Sequence, residues 1–522
     1  MTAARLLAAG LVIHLLLILP AAPMPAAQAL LRVAPELPLI LLGLACLAGT
    51  GMGMAGRVLV TLGLALLAVQ KIADLAMMSA FGRPFNVLTD TALIGAGWDL
   101  LTDTVGGPAL WAATAGSVVA AAGILWAVWW ACGVWSGRRL AGPRGRLGLA
   151  ALAALSVTVA GSGMGWTGNA PYALARAKLF SKTAQDLRQL KALAAQDDLA
   201  GAAGLMEAID RDVLVIFVES YGRASFDVPF HASRHLATLR RAQQRLGDAG
   251  LAMRSGFLAA PTRGGQSWLS HATFANGLWI ADQARYGAVL ASGRQGLFHH
   301  ARRAGFRTAA VMPAITQPWP EGDRMGFDRI LAAGDLGYRG QPFNWVTMPD
   351  QFTLAATDRL LRASDGSPHL FAQIALISSH APWVPVPQLV PWDQVGAGTV
   401  FDAMAMAGDP PEVVWRDRDR VRHAYRDAVD YSLEAVMDYA LLHADDPPLM
   451  IVLGDHQATP WVAGDDRPDV AIHLIGPAHL VDRAAGWGLA PGLIPPASQK
   501  VLPMDRMRDL ILRGFGDKAS QT

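Results

Sequence analysis

Four short motifs carry side chains suited to metal-assisted nucleophilic chemistry. Glu219 directly follows the apolar run 213–218 (VLVIFV). Ser378-Ser379-His380 follows 370–377 (LFAQIALI), and Asp455-His456 follows 449–453 (LMIVL) and one glycine. Carboxylates with imidazole form a donor set for a divalent cation such as Mn2+ or Zn2+. A lone acid after a strand is more often a helix cap, and a lone histidine more often a structural residue. Three strand ends bearing such groups together are harder to explain that way. The fourth motif, Pro261-Thr-Arg-Gly-Gly-Gln-Ser-Trp-Leu-Ser-His271, supplies a hydroxyl. Gly264 and Gly265 let the backbone turn sharply and present Ser267 with nearby N–H groups to an anionic oxygen. Ser267 also opens a helical pattern, and a helix N-terminus favours phosphate. The serine-hydrolase elbow G-x-S-x-G is not matched, because Leu269 stands where its second glycine belongs.

Neighbouring residues have two readings each. Trp268 either stacks on a substrate head group or packs the helix start. Arg263 either binds a phosphate or is a solvated loop charge. His271, four residues past Ser267, fits buried packing, and His473, inside the apolar run 470–475, fits a core histidine.

The elements that must position these groups are short continuous apolar runs, the pattern of buried parallel strands. They lie at 213–218, 308–312, 370–377, 449–453 and 470–475. Helical patterns at 234–247, 295–304, 351–363 and 417–443 separate them. Strands alternating with helices predict an α/β domain with a mostly parallel sheet. In such sheets polar residues just past the carboxyl ends of strands line the active-site crevice.

Charge divides the chain. Of 522 residues 16% are charged, but residues 1–163 hold only 14 charged side chains and the remaining 359 hold 72. That split excludes a single soluble globule, a disordered chain and a nucleic-acid binder working by bulk charge. It predicts a transmembrane anchor at 1–163, a linker helix at 164–205 and a soluble domain at 206–522. Five apolar stretches, roughly 6–22, 37–55, 58–80, 108–134 and 147–163, qualify as membrane spans by length and composition. With Arg5 cytoplasmic, Arg57 and the cluster Arg138, Arg139, Arg144 and Arg146 fall on that side, and Arg32, Glu36, Arg83, Asp90, Asp99 and Asp103 on the other. By the positive-inside rule the soluble domain then faces away from the cytoplasm. A cleaved signal peptide is the alternative for the first stretch and leaves that side unchanged. Lys71 and Asp74 either pair on one helix face or mark the outer end of the third span. The loop between Gly82 and Gly107 fits an amphipathic surface helix. The two cysteines, Cys46 and Cys132, lie in apolar runs, so the soluble domain has no disulfide, thiolate metal site or thiol nucleophile.

The order of strand-Glu219, Gly-Gly-Gln-Ser267, Ser-Ser-His380-Ala-Pro-Trp and Gly-Asp455-His456 resembles the alkaline phosphatase superfamily. It is similar in particular to the sulfatase-fold, membrane-anchored phosphoglycerol transferases of the lipoteichoic acid synthase type. The motif-level likeness runs from about 212 to 476. The resemblance implies a five-span anchor followed by a sulfatase-like α/β domain. It implies one metal ion held by Glu219, Ser267, Asp455 and His456, with Mn2+ expected and Mg2+ or Zn2+ as alternatives. It implies that Ser267 is the nucleophile and that His380 contacts the substrate phosphate. Trp319 and Arg324, in Trp319-Pro-Glu-Gly-Asp-Arg324, fit substrate-binding positions together with Trp268 and Arg263. Met348-Pro-Asp350-Gln and the helix bearing Tyr425 and Tyr431-Ser432 also fit the pattern. Ser267 replaces the usual threonine of the lipoteichoic acid synthases. The Cys-x-Pro-x-Arg motif of true sulfatases is absent, which disfavours sulfate-ester hydrolysis.

The function so implied moves a phosphoglycerol group from a membrane phospholipid, phosphatidylglycerol being the expected donor, to a glycan or glycolipid acceptor through a covalent Ser267 adduct. The expected location is the bacterial inner (plasma) membrane, with the catalytic domain on the periplasmic side. Phosphoethanolamine transfer, phosphodiester hydrolysis and a non-catalytic metal-binding membrane module are the alternatives.

Overall fold

A computed structural model describes residues 3–30, 32, 34–48, 50–81, 83–91, 98, 107–136, 143–161, 168–362 and 368–517. The chain divides into two compact units, Met1–Arg188 and Gln189–Thr522.

In the first unit, helices α1 (Ala3–Leu17), α2 (Glu36–Leu47), α3 (Gly53–Phe81), α4 (Gly107–Ser136) and α5 (Pro143–Gly161) occupy the five apolar stretches. Among the described residues two are long and apolar enough to cross a membrane, over Gly53–Ser79 and Gly107–Ser136. The first two helices are only 15 and 12 residues long, so five full spans are not established. Pro20 follows the end of α1, and the residue before a proline is disfavoured in helix. On the two long helices Leu59, Leu66, Val119 and Trp126 point outward, each about two-thirds exposed or more. Such an apolar exterior suits lipid rather than water. Lys71 Nζ donates to the Leu17 carbonyl, at the end of α1, at 2.8 Å. Asp74 is buried, accepts from Phe85 N at 2.8 Å and forms an ion pair with Arg176, whose Nε lies 2.9 Å away. Arg176 belongs to α6 (Asn169–Ala195), the polar helix that follows the apolar ones. The amphipathic helix expected between Gly82 and Gly107 falls mostly outside the described residues.

The second unit is built on one nine-stranded sheet. Its strands are β1 (Val213–Val218), β2 (Ala252–Ala259), β3 (Arg307–Met312), β4 (Arg329–Ala332), β5 (Leu370–Ala375), β6 (Leu449–Gly454), β7 (Asp469–Gly476), β8 (Ala490–Pro491) and β9 (Val501–Pro503). The order is β4-β3-β5-β1-β6-β7-β2-β8, with β9 beside β2. β4, β3, β5, β1 and β6 run parallel. β7 runs antiparallel to both neighbours. The sheet is therefore mixed but mostly parallel. β2, β4, β8 and β9 were not expected from the sequence.

The alternation along β1 accounts for its unbroken apolar run. Leu214, Ile216 and Val218 enter one core, and Val213, Val215 and Phe217 the other. The first core is covered by α7 (Pro229–Asp248) and α11 (Arg418–Leu442). The second is covered by α8 (Ser267–Asn276), α9 (Leu297–Arg303) and α12 (Met507–Gly514). α10 (Asp350–Thr357) packs against α11. A strand buried on both faces gains about 1.5–3 kcal/mol per large apolar side chain, which fixes β1 at the centre. β1 pairs with β5 on one side and β6 on the other, so the three chemistry-bearing motifs leave one edge side by side.

Candidate active site

Glu219 leaves β1 into a turn in which Ser220 adopts φ +59. A non-glycine residue in the left-handed region persists only where its surroundings hold it. Here Ser220 N donates to Asp455 Oδ1 at 2.8 Å, and the Tyr425 hydroxyl donates to the Ser220 carbonyl at 2.9 Å. Ser379 Oγ donates to the Glu219 carbonyl at 2.7 Å. Asp455 follows Gly454, where a Cβ would collide with the Tyr221 carbonyl. The glycine thus lets the ends of β1 and β6 approach.

The Ser267 loop winds through three left-handed residues, Gly264 at φ +71, Gly265 at φ +140 and Gln266 at φ +66, and opens α8 at Ser267. Gly264 N donates to the Gln457 carbonyl at 2.8 Å, which ties the loop to the segment carrying His456. Ser267 Oγ donates to Glu219 Oε2 at 3.1 Å.

Ligand atoms of Glu219, Asp455 and His456 lie within 4.8 Å of one another, and all three residues are buried. His456 Nδ1 faces the Gln457 carbonyl at 3.1 Å, so in the neutral imidazole the proton stays on Nδ1 and Nε2 is the nitrogen left to bind a cation. Nε2 approaches Glu219 Oε1 at 3.0 Å but lacks a hydrogen-bonding partner. Two buried carboxylates converging with an unpartnered imidazole nitrogen fit a divalent cation, with Ser267 Oγ beside them.

The electrostatics agree with that fit. Burial, then the charge of Glu219, pushes Asp455 up to about 7. Burial works against a charged His456, but Asp455 and Glu219 raise it to about 9. Burial also resists ionisation of Glu219, yet the positive charge of His456 holds it well below the usual carboxylate range. A cation needs Asp455 ionised and His456 Nε2 unprotonated, so binding must expel the protons these groups retain. Mn2+ affinity is therefore expected to rise steadily from pH 6 to pH 9, with proton release on binding. Calorimetry in buffers of different ionisation enthalpy checks this.

His380 stands across a cavity of about 420 Å3 whose lining includes Glu219, Ser267, Trp268, Trp319, His380 and Asp455. Its Nδ1 lies 2.6 Å from the Ala381 carbonyl, and its ring stacks on Trp345 at 4.6 Å. That leaves Nε2 for the cavity. The loop carrying His380 is pinned by Asp350, whose Oδ1 accepts from Ile377 N and Ser378 N, each at 2.8 Å. Asp350 Oδ2 accepts from Ser432 Oγ at 2.6 Å. Burial raises the Asp350 carboxyl pKa. Asp350→Ala strands three buried donors and is expected to cost about 2–5 kcal/mol, measurable by denaturant unfolding. Nothing local in the sequence marks Asp350 as the anchor of a loop 27 residues away.

Trp268 is 39% exposed and donates Nε1 to Gln283 Oε1 at 2.9 Å. Arg263 is exposed, donates to the Asp466 carbonyl and does not line the cavity. Arg324 is exposed and does not line it either. His473 is a core residue, with Nε2 3.0 Å from the Tyr221 hydroxyl and Nδ1 2.7 Å from Ser255 Oγ. His271 packs its ring against Phe217 at 4.1 Å and also borders the cavity.

Residues 211–462 match the family model described as Sulfatase. No curated protein matches the sequence. Solved structures with a similar fold include the lipoteichoic acid synthase LtaP from Listeria monocytogenes, 13% identical with a TM-score of 0.35, covering 56% of this chain and 71% of that one. They include the Streptococcus pyogenes phosphoglycerol transferase GacH in complex with sn-glycerol-1-phosphate, 12% identical with a TM-score of 0.34, covering 56% and 74%. They also include the phosphonate monoester hydrolase of Agrobacterium radiobacter, 15% identical with a TM-score of 0.32, covering 57% and 77%.

Proposed function

We propose, from the match of residues 211–462 to the family model described as Sulfatase, that the protein transfers a phosphoglycerol-type group from a membrane phospholipid to an extracytoplasmic acceptor. The observation that carries the reading is the convergence of Ser267 Oγ, at 3.1 Å from Glu219, with the buried Glu219, Asp455 and His456 set. A divalent cation held by those residues, Mn2+ in this proposal, would supply positive charge that favours the ionised Ser267 hydroxyl and offsets charge on the phosphoryl oxygens.

The protein's own groups do the rest. The start of α8 holds Ser267 Oγ at the mouth of the cavity. Ser267 Oγ forms a bond to phosphorus while the phosphorus–oxygen bond to diacylglycerol breaks, and the electron pair leaves on that oxygen. His380, oriented through Nδ1 by the Ala381 carbonyl, donates a proton from Nε2 to the departing oxygen. In the second half-reaction an acceptor alcohol gives its proton back to His380 and attacks phosphorus, which frees Ser267. The Trp268 and Trp319 rings border the space where the head group sits.

The anchor fits a lipid donor. Two long apolar helices support membrane attachment. In the proposal all five apolar stretches embed, the arginine-rich connection faces the cytoplasm and the domain lies on the periplasmic side of the inner membrane. Phosphatidylglycerol is the proposed donor and a glycan or glycolipid the acceptor. Purified protein with Mn2+ and phosphatidylglycerol micelles should release diacylglycerol. Release of diacylglycerol with free glycerol phosphate and no product on an added alcohol acceptor would instead favour a hydrolase, and no cleavage of the lipid would end the proposal.

A further inference from the structure

The cavity beside Ser267 is mostly walled by apolar side chains, among them Phe217, Tyr286, Met312, Trp319 and Met325. Gln373 also lines it. This glutamine is fully buried, and neither its amide oxygen nor its amide nitrogen has a hydrogen-bonding partner among the described residues. Native folds rarely keep a buried amide with both ends unpaired.

The fold gives no reason for it. Gln373 lies inside β5, opposite Val215 on β1 and Ala310 on β3. Those partners belong to the second core, as do Phe371 and Ala375 on the same strand face. A leucine or methionine would suit such a position. A second unpaired buried atom, His271 Nε2, borders the same cavity, and His271 is 9% exposed.

We propose that Gln373, with His271 Nε2 as a second contact, selects a neutral hydroxyl-bearing head group on the phosphorus held at Ser267; this rests on the transferase reading above. A carboxamide offers one acceptor and two donors, and a hydroxyl both donates and accepts, so a small polyol satisfies both ends of Gln373. An ammonium head group only donates and leaves the amide N–H groups unpaired. The lining carboxylates are Glu219 and Asp455, which the metal centre occupies, so a buried ammonium would also lack a counter-charge.

The test uses full-length protein with Mn2+ in mixed micelles of phosphatidylglycerol or phosphatidylethanolamine, reading kcat and KM for diacylglycerol release. Wild-type protein should prefer phosphatidylglycerol. Gln373→Met, close in size and without polar ends, should lower the kcat/KM ratio of phosphatidylglycerol to phosphatidylethanolamine at least about tenfold, chiefly through KM. Gln373→Glu should turn the preference toward phosphatidylethanolamine by supplying the missing counter-charge. A Mn2+-dependent rise in unfolding temperature verifies that each variant is folded. A ratio within twofold of wild type in both variants overturns the inference, as does a wild-type preference for phosphatidylethanolamine. If wild-type protein cleaves neither lipid, the transferase reading falls and this selectivity with it.

Discussion

Ser267→Ala is expected to reduce diacylglycerol release by roughly four orders of magnitude or more, since loss of a nucleophile removes the covalent route altogether. The same variant should fold and bind Mn2+. Ser267 sits at the first position of α8 with only intermediate burial, and alanine is a good helix former. Its hydroxyl donates to Glu219 at 3.1 Å, and losing so small a contact should keep the stability change near about 1 kcal/mol. Glu219, Asp455 and His456 remain in place to hold the cation. Stopped-flow or end-point lipid assays, paired with metal titration of the same preparation, separate these effects. A variant that retained a tenth of wild-type turnover would remove Ser267 from the chemistry.

Asp455→Asn carries the second large effect, and its two consequences have opposite signs. The asparagine keeps an oxygen that can accept from Ser220 N and His456 N, at 2.8 and 2.7 Å in the wild type. The fold around the turn is therefore retained. The variant removes a buried carboxylate that lies beside Glu219 and is pushed up to about 7 by burial and by that neighbour's charge. Metal-free protein should consequently be as stable as wild type or more so. Mn2+ affinity should fall at least about a hundredfold, because losing a direct ligand exceeds the cost of losing an outer partner. Thermal unfolding with and without Mn2+ shows both. Wild-type protein gains stability on adding the ion, and Asp455→Asn should gain little. Equal Mn2+ stabilisation of both proteins would take Asp455 out of the metal centre.

Much of the site was legible because buried parallel strands leave an unmistakable pattern. VLVIFV, LFAQIALI and LMIVL are continuous apolar runs, and polar residues at their carboxyl ends point to a crevice. That β1 lies between β5 and β6 is a tertiary fact that no run reveals. Nor does the run 470–475 disclose that it is antiparallel. β2 escaped notice because AMRSGFLA mixes polar and apolar residues, three of its first residues being only half-buried. Gln373 was hidden by its own strand, where one polar letter within LFAQIALI looks like noise until its unpaired amide is seen. In the first unit the apolar stretches each became helical, but Pro20 stops the first and the second ends at Leu47. For those two, apolar length read along the sequence overstated the helical length, whereas the other three helices extend beyond the N-terminal ends of their stretches.

The most direct test is the mass of the Ser267-bearing peptide after full-length protein is incubated with Mn2+ and phosphatidylglycerol, quenched and digested. Phosphoglycerol transfer through a covalent intermediate predicts an increment matching phosphoglycerol on that peptide, located to Ser267 and absent in Ser267→Ala. Diacylglycerol should appear in the same reaction. An unmodified Ser267 peptide while diacylglycerol accumulates, or an adduct on another residue, would contradict it.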